Sequence, residues 1–204
     1  MFYRFGCFVA MLGARLWFSI RMENKEKVPS HGGVIVASNH RSYWDPVMLV
    51  VFIRHRFRFM AKEELFTKNK LFGWLIRHLG AFPVSRGKGD NSAIDRSIET
   101  IRDKHNLIIF PEGTRSRDGT LGRIKSGAAL IAVKSGAPIL PVAICYEPGL
   151  HFRSRVVIRY GDLIVPESRD GDEPDSGELR RISRELGSAI GGMLEKGVST
   201  SCVS

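Results

Sequence analysis

Two residues able to pass a proton between them stand five apart in N-H-R-S-Y-W-D-P, residues 39–46: His40 and Asp45. A carboxylate bonded to one imidazole nitrogen fixes the tautomer and stabilises the imidazolium. The other nitrogen is then free to take a proton from a hydroxyl. On one continuous helix this spacing would put the two side chains on different faces, so the pairing requires a turn. Residues 33–38 read G-V-I-V-A-S, a β-branched run expected as a buried strand. Asp45-Pro46 suits a helix start, with Asp as cap and Pro at the first helical position. A strand-to-helix turn can fold the carboxylate onto the imidazole. The spacing alone fits equally well an Asp45 that only caps a helix beside a His40 that is an ordinary satisfied polar residue.

Three further segments carry cations beside glycine-containing turns. Arg86 closes G-A-F-P-V-S-R, residues 80–86, and Arg115 lies in F-P-E-G-T-R-S, residues 110–116. Both follow short stretches that read as strands, and turns after strand ends are where an open α/β sheet binds ligands. The planar fork of arginine suits phosphate. Lys125 precedes a small, apolar helical stretch at 127–135, whose N-terminal amides also favour an anion. Any one of these cations, taken singly, reads as an ordinary solvated surface charge.

The elements that must hold these residues alternate. Strands are expected at 33–38, 54–60, 107–110, 139–145 and 156–160, with a short extended piece at 82–84. Helices are expected from Asp45-Pro46 to residue 52 and over 66–79, 92–104, 127–135 and 178–193. This order predicts a single α/β domain with a mixed, mostly parallel sheet flanked by helices. The chain has 204 residues, 31 Lys and Arg against 21 Asp and Glu, and a net charge of +10. Its basic character lies in the front and middle, while residues 166–204 are net acidic. Such a balance calls for an anionic partner: nucleic acid, an anionic membrane or a phosphorylated substrate. The three cysteines, Cys7, Cys145 and Cys202, match no metal or redox spacing and fit a reduced, cytosol-facing setting. No H-E-x-x-H is present, and nothing in the sequence asks for a metal or another cofactor.

The first twenty residues contain an uncharged run at 5–14 between Arg4 and Arg15. It is too short to cross a bilayer, which takes roughly 20 apolar residues. At helical spacing Phe5, Val9, Leu12, Leu16 and Ile20 share one side, and Arg4 and Arg15 another. This predicts a membrane-interface helix over residues 1–22 ahead of a catalytic domain at 23–204. A soluble core helix is the competing reading.

Together and in this order the segments resemble the PlsC-like glycerolipid acyltransferases, a family that contains the 1-acylglycerol-3-phosphate acyltransferases. The resemblance rests on Asn39, His40 and Asp45; on Gly80, Phe82 and Arg86; on the complete F-P-E-G-T-R-S; and on Leu140, Pro141 and Val142. It spans about residues 30 to 165. Ser85 departs from it, where the family often carries an acidic or amide residue. The resemblance implies a glycerol-3-phosphate acyltransferase-like fold and transfer of a fatty acyl group from acyl-CoA or acyl-carrier protein to the hydroxyl of lysophosphatidic acid. His40 would be the general base and Asp45 its orienting carboxylate. Arg86 and Arg115 would bind the acceptor's phosphate, and Glu112, Gly113 and Thr114 would shape that pocket. Lys125 joins them on the charge argument. The chain has no G-x-S-x-G elbow, in keeping with direct attack on an activated thioester. Without a full-length transmembrane helix, such an enzyme would work from an anionic membrane surface, at its cytoplasmic face, as a peripheral or monotopic protein. Glycerol-3-phosphate, another lysophospholipid or a lipid A precursor are alternative acceptors. A basic nucleic-acid-binding protein is the alternative of another class. It leans on the interleaved Arg54, Arg56, Arg58 and Phe57, Phe59, which a strand would explain equally well through its two faces, and no nucleic-acid partner is expected.

Overall fold

Three strands are buried along their whole length: β2 (Ile35–Ser38), β5 (Asn106–Ile109) and β6 (Ile139–Tyr146). Each is a short apolar run of the kind that both faces of a parallel sheet demand. The computed structural model describes residues 2–52, 57–67, 70–78, 80–84, 91–116, 118–149, 151–167 and 174–198. Within them lie α1 (Phe2–Trp17), β1 (Ser19–Glu23), a 3₁₀ turn at Lys25–Lys27, β2, α2 (Asp45–Phe52), β3 (Phe57–Lys62), α3 (Glu64–Thr67), α4 (Lys70–His78), β4 (Ala81–Val84), α5 (Asn91–Arg102), β5, α6 (Gly127–Ser135), β6, β7 (Arg155–Tyr160) and α7 (Ser176–Glu195).

The described strands form one seven-stranded sheet in the order β1-β7-β6-β2-β5-β3-β4. β6, β2, β5, β3 and β4 run parallel. β7 runs against β6, and β1 follows β7. The expected mixed, mostly parallel α/β sheet is therefore the observed one. Val36, Leu140, Val142 and Ile158 pack on one face with Ala14 and Phe18 of the N-terminal segment and Met48, Leu49 and Phe52 of α2. Ile35, Ala37, Leu107, Ile109 and Ile139 pack on the other with α5, α6 and α7, the last through Ile182, Leu186 and Ile190. The alternation of Val34 and Val36 against Ile35 and Ala37 is the period of two that divides a strand between two cores. Because five strands are parallel, their C-terminal ends share one edge, and the segments after β2, β4, β5 and β6 all begin there.

Several expectations need correction. The N-terminal helix does not run to residue 22. It stops at Trp17, and Ser19–Glu23 join the sheet as an edge strand paired with β7. Ile20 is thus a strand residue, partly buried against the core, and not part of a helix face. The apolar residues of α1 also divide in two. Cys7, Met11 and Ala14 turn inward, while Phe8, Val9, Leu12 and Leu16 remain exposed. The helix expected at 66–79 is two, α3 and α4. The strand expected at 54–60 is observed at Phe57–Lys62, and residues 53–56 lie outside the described part. Phe57 is core, which removes it as a stacking platform for bases. Gly80, in the turn between α4 and β4, has φ +94°, and a Cβ there would fall 2.2 Å from the Phe57 carbonyl oxygen. Glycine is required there by the close approach of two backbones.

Where β2 ends, its pairing with β6 continues through a side chain. Asn39 Nδ2 donates to the Ile144 carbonyl at 3.1 Å, and Asn39 Oδ1 accepts from the Ile144 N–H at 2.8 Å. This buried amide clamps the chain one residue before His40. Asn39→Ala leaves both Ile144 groups unpaired, and a loss of about 2–4 kcal/mol is expected in urea denaturation. A loss under about 1 kcal/mol would mean that the clamp contributes little.

Candidate active site

The turn between β2 and α2 is built around one carboxylate. Asp45 has no solvent exposure. Its Oδ2 accepts from the backbone N–H of Arg41 and of Ser42, each at 2.7 Å, and lies 2.8 Å from His40 Nδ1. Its Oδ1 accepts from the Tyr146 hydroxyl at 2.6 Å. These are charge-assisted contacts, the strong class of hydrogen bond. Asp45 opens α2, but its carboxylate turns back into the preceding turn, so the expected helix cap is replaced by a staple on residues 40–42. Burial and the negative charge of Asp45 push the Tyr146 hydroxyl well above its ordinary range, so Tyr146 is a neutral donor.

The contact to Asp45 occupies Nδ1 of His40. Nε2 has no protein partner among the described residues. The imidazole lies nearly flat on Phe110, with centroids 4.1 Å apart and planes 19° apart. Its side chain keeps 19% exposure, enough for a proton donor to reach the edge that Asp45 does not hold. A carboxylate below and an aromatic wall beside hold the ring in a fixed orientation with Nε2 open, the arrangement that general-base chemistry requires.

The loop after β5 is fastened to this turn. Glu112 is buried, and its two oxygens accept from different backbone amides, His40 N–H and Gly122 N–H, each at 2.8 Å. The Ser116 N–H in turn donates to the His40 carbonyl at 2.7 Å. Glu112 was expected to shape an anion pocket; the structure places it behind the loop, as the link between the His40 segment and Gly122. Gly113 has φ +74°, and a Cβ there would fall 2.6 Å from Lys125 Nζ, so the ammonium lies against the bare backbone of the loop. Thr114, Ser116, Asp118, Arg123 and Lys125 line an open cleft of about 360 Å³ with Glu112 at its base. Hydrogen bonds from Thr120 and Ser116 hold the Asp118 carboxyl down to about 2. Asp118 therefore stays an anion through the ordinary pH range.

Arg115 is exposed. Its guanidinium sits 3.7 Å over the Tyr43 ring and donates to the Tyr43 hydroxyl at 2.9 Å. Stacking leaves other in-plane N–H donors of the fork free. Arg86 lies outside the described residues, so its side chain has no placement here. The strand that leads to it, β4, ends on the same edge of the sheet as β2 and β5. Of the expected residues, the structure gathers His40, Asp45, Glu112, Gly113, Thr114 and Lys125 into one neighbourhood and hangs Arg115 beside them on Tyr43. Three participants were missed by sequence reasoning: Tyr146, Tyr43 and Phe110 as the imidazole's wall. Tyr146 is 101 residues from Asp45, and no local spacing signals it. Among the described residues there is no group of three or more His, Cys, Asp or Glu placed to hold a metal ion.

The chain has relatives among known proteins. A family model described as Acyltransferase matches residues 19–145. The 1-acyl-sn-glycerol-3-phosphate acyltransferase of Streptococcus pneumoniae is 39% identical over 147 residues, covering 69% of this chain and 54% of that protein. The protein of the same name from Bacillus subtilis is 34% identical over 125 residues, covering 61% of each. Among solved structures, the 1-acyl-sn-glycerophosphate (LPA) acyltransferase PlsC from Thermotoga maritima matches with a TM-score of 0.71 and 28% identity, covering 95% of this chain and 77% of that one. The chain spans about half the length of the curated relatives it matches. The family match begins at the first residue of β1 and ends one residue short of Tyr146, so it takes in the staple on His40, the loop fastened to it and the strands that hold both; the chain belongs to the acyltransferase family.

Proposed function

We propose that the chain transfers a fatty acyl group from an acyl thioester, acyl-CoA or acyl-carrier protein, to the free hydroxyl of 1-acyl-sn-glycerol 3-phosphate, giving phosphatidic acid for phospholipid synthesis. The observation that carries this reading is the 2.8 Å contact between His40 Nδ1 and the buried Asp45 carboxylate, with Nε2 left open. His40 Nε2 takes the proton of the acceptor hydroxyl as its oxygen attacks the thioester carbonyl. Asp45 stabilises the imidazolium that forms. The tetrahedral intermediate then expels the thiolate, which recovers the proton from His40. One C–O bond is made and one C–S bond is broken, with no net change of protons. Arg86, Arg115 and Lys125 bind the acceptor's phosphate, and Glu112, Gly113 and Thr114 hold the loop that presents it.

We also infer a membrane-facing surface. Phe8, Val9, Leu12 and Leu16 form an exposed apolar stripe on α1. Trp17 and Phe152 extend it, edge to face at 5.7 Å. The Arg153 guanidinium donates to the Arg15 carbonyl beside this patch, which places a cation at its rim, and the Arg15 guanidinium lies 5.7 Å over the Phe52 ring. Apolar side chains flanked by arginines are the composition of a helix lying in a lipid interface. None of the described helices is long and apolar enough to cross a membrane. The reading is therefore a peripheral or monotopic protein, held at the anionic cytoplasmic face.

His40→Ala should lower kcat by about 10² to 10⁴, the usual worth of a general base, in an assay of 1-acylglycerol 3-phosphate with acyl-CoA or acyl-carrier protein. Full activity in that variant would sink the mechanism. Arg86→Ala and Arg115→Ala should each raise the acceptor KM about tenfold or more while largely sparing kcat, since a hydrogen bond to a charged group is worth about 1.5–3 kcal/mol. An unchanged acceptor KM in both would remove the phosphate assignment. For the membrane, deleting α1 is a poor test, because Ala14 is core. Replacing Phe8, Leu12 and Leu16 together with serine leaves that inward face intact. Co-sedimentation with anionic vesicles should then fall at least tenfold, and undiminished binding would rule the stripe out as the anchor.

A further inference from the structure

A second, larger cleft of about 710 Å³ adjoins the first, between the loop that ends at α6 and the first half of α7. Arg123 and Lys125 line both clefts. From the opposite wall come Arg180 and Arg184 of α7. Among the described residues none of these four cations takes part in an ion pair. Their neighbour Arg181 shows the contrast, since it is bridged to Glu167, Glu178 and Glu185. Ser183 lies between the two arginines, and its Oγ is shielded from solvent without a hydrogen-bond partner.

The wall is written into the helix. Arg180, Arg184, Gly187 and Gly191 follow at intervals of four, three and four, so they share one face of α7. At the glycines the loop lies directly on the helix. A Cβ at 187 would come 3.3 Å from Ile124 Cγ1, and one at 191 would come 3.9 Å from Leu121 Cδ2. Toward the arginines the loop and helix part, and the cleft opens. Four like charges around one concavity, without an ion pair among the described residues, repel each other and raise the local potential for an anion, although Glu112 and Asp118 share the first cleft with Arg123 and Lys125.

We propose that this cleft binds the phosphate-bearing nucleotide end of coenzyme A, and so is the donor site of the acyl transfer; the inference rests on the reaction proposed above. The acceptor carries one phosphate and is met by the first cleft. A second group of cations next to it calls for a second, more highly charged anion, and the other substrate supplies one. The concave form and volume fit a small molecule, within the range of about 300–1,000 Å³ usual for such sites. Ile124 and Leu179 add partly buried apolar surface on which a base can rest. Because Arg123 and Lys125 belong to both clefts, a thioester on the flexible arm of a cofactor held here points toward the loop fastened to His40.

The test titrates the full chain with free coenzyme A and, in parallel, measures KM for acyl-CoA and for 1-acylglycerol 3-phosphate. Arg180→Ala combined with Arg184→Ala should weaken coenzyme A binding and raise the acyl-CoA KM at least tenfold, with the acceptor KM unchanged. Lys25→Ala combined with Lys196→Ala removes the same charge elsewhere and should match the unaltered chain. Acyl thioesters of dephospho-coenzyme A should be poorer donors for the unaltered chain, and that handicap should shrink in the arginine double variant. Unchanged coenzyme A binding in that variant overturns the proposal, as does an increase confined to the acceptor KM. Loss of turnover with acyl-carrier protein alone would assign the arginines to a carrier protein and overturn it too. If the unaltered chain binds coenzyme A through Arg180 and Arg184 yet transfers no acyl group from either donor, the cleft stands and the proposed reaction falls.

Discussion

A carboxylate sealed from water must be satisfied entirely by protein donors, and Asp45 recruits them from three places at once. Two are backbone amides of the turn that carries His40, one is the imidazole itself, and one is a hydroxyl at the far end of β6. Leaving any of these unmade would expose the chain to the cost of a buried charge, several kcal/mol per ion. The turn therefore has little freedom to rearrange, and the orientation of His40 follows from the electrostatics of its neighbour. The stack on Phe110 then fixes the plane of the ring.

The sheet makes this arrangement possible by direction more than by sequence. Five parallel strands end on the same edge, so segments far apart in the chain arrive together without long excursions. Asn39 extends β2 toward β6, Glu112 bolts the loop after β5 to His40, and Tyr146 closes from the end of β6. Every one of these ties is a polar group meeting a backbone amide or a buried carboxylate. The apolar cores on the two faces supply the rigidity, and the polar ties convert it into position.

The parts of the fold that could be read from sequence are those whose burial leaves a compositional mark. Residues 35–38, 106–109 and 139–146 are wholly buried, and their β-branched and apolar runs announce strands. β1 leaves no such mark. S-I-R-M-E lies at the sheet edge with mixed exposure, and its apolar residues continue the helical rhythm of α1, so its sequence reads as more helix. In the site, His40 and Asp45 were legible because spacing and motif order named them. The tie from Tyr146 was not, because a contact across 101 residues is decided by strand order, and strand order is a property of the folded sheet. Glu112 was legible as a motif residue, but its two amide partners were not, since backbone donors carry no sequence signature.

One residue, Phe18, separates α1 from β1, and its ring is buried against Trp44 and Tyr146. A joint of that kind has no hinge. The helix cannot swing while the sheet stays still, so whatever surface the exposed side of α1 rests upon, the C-terminal edge of the parallel strands meets that surface at a fixed angle. The molecule is built as a tool with its blade set rigidly in its handle, and the direction the sheet edge faces is decided by how the handle lies.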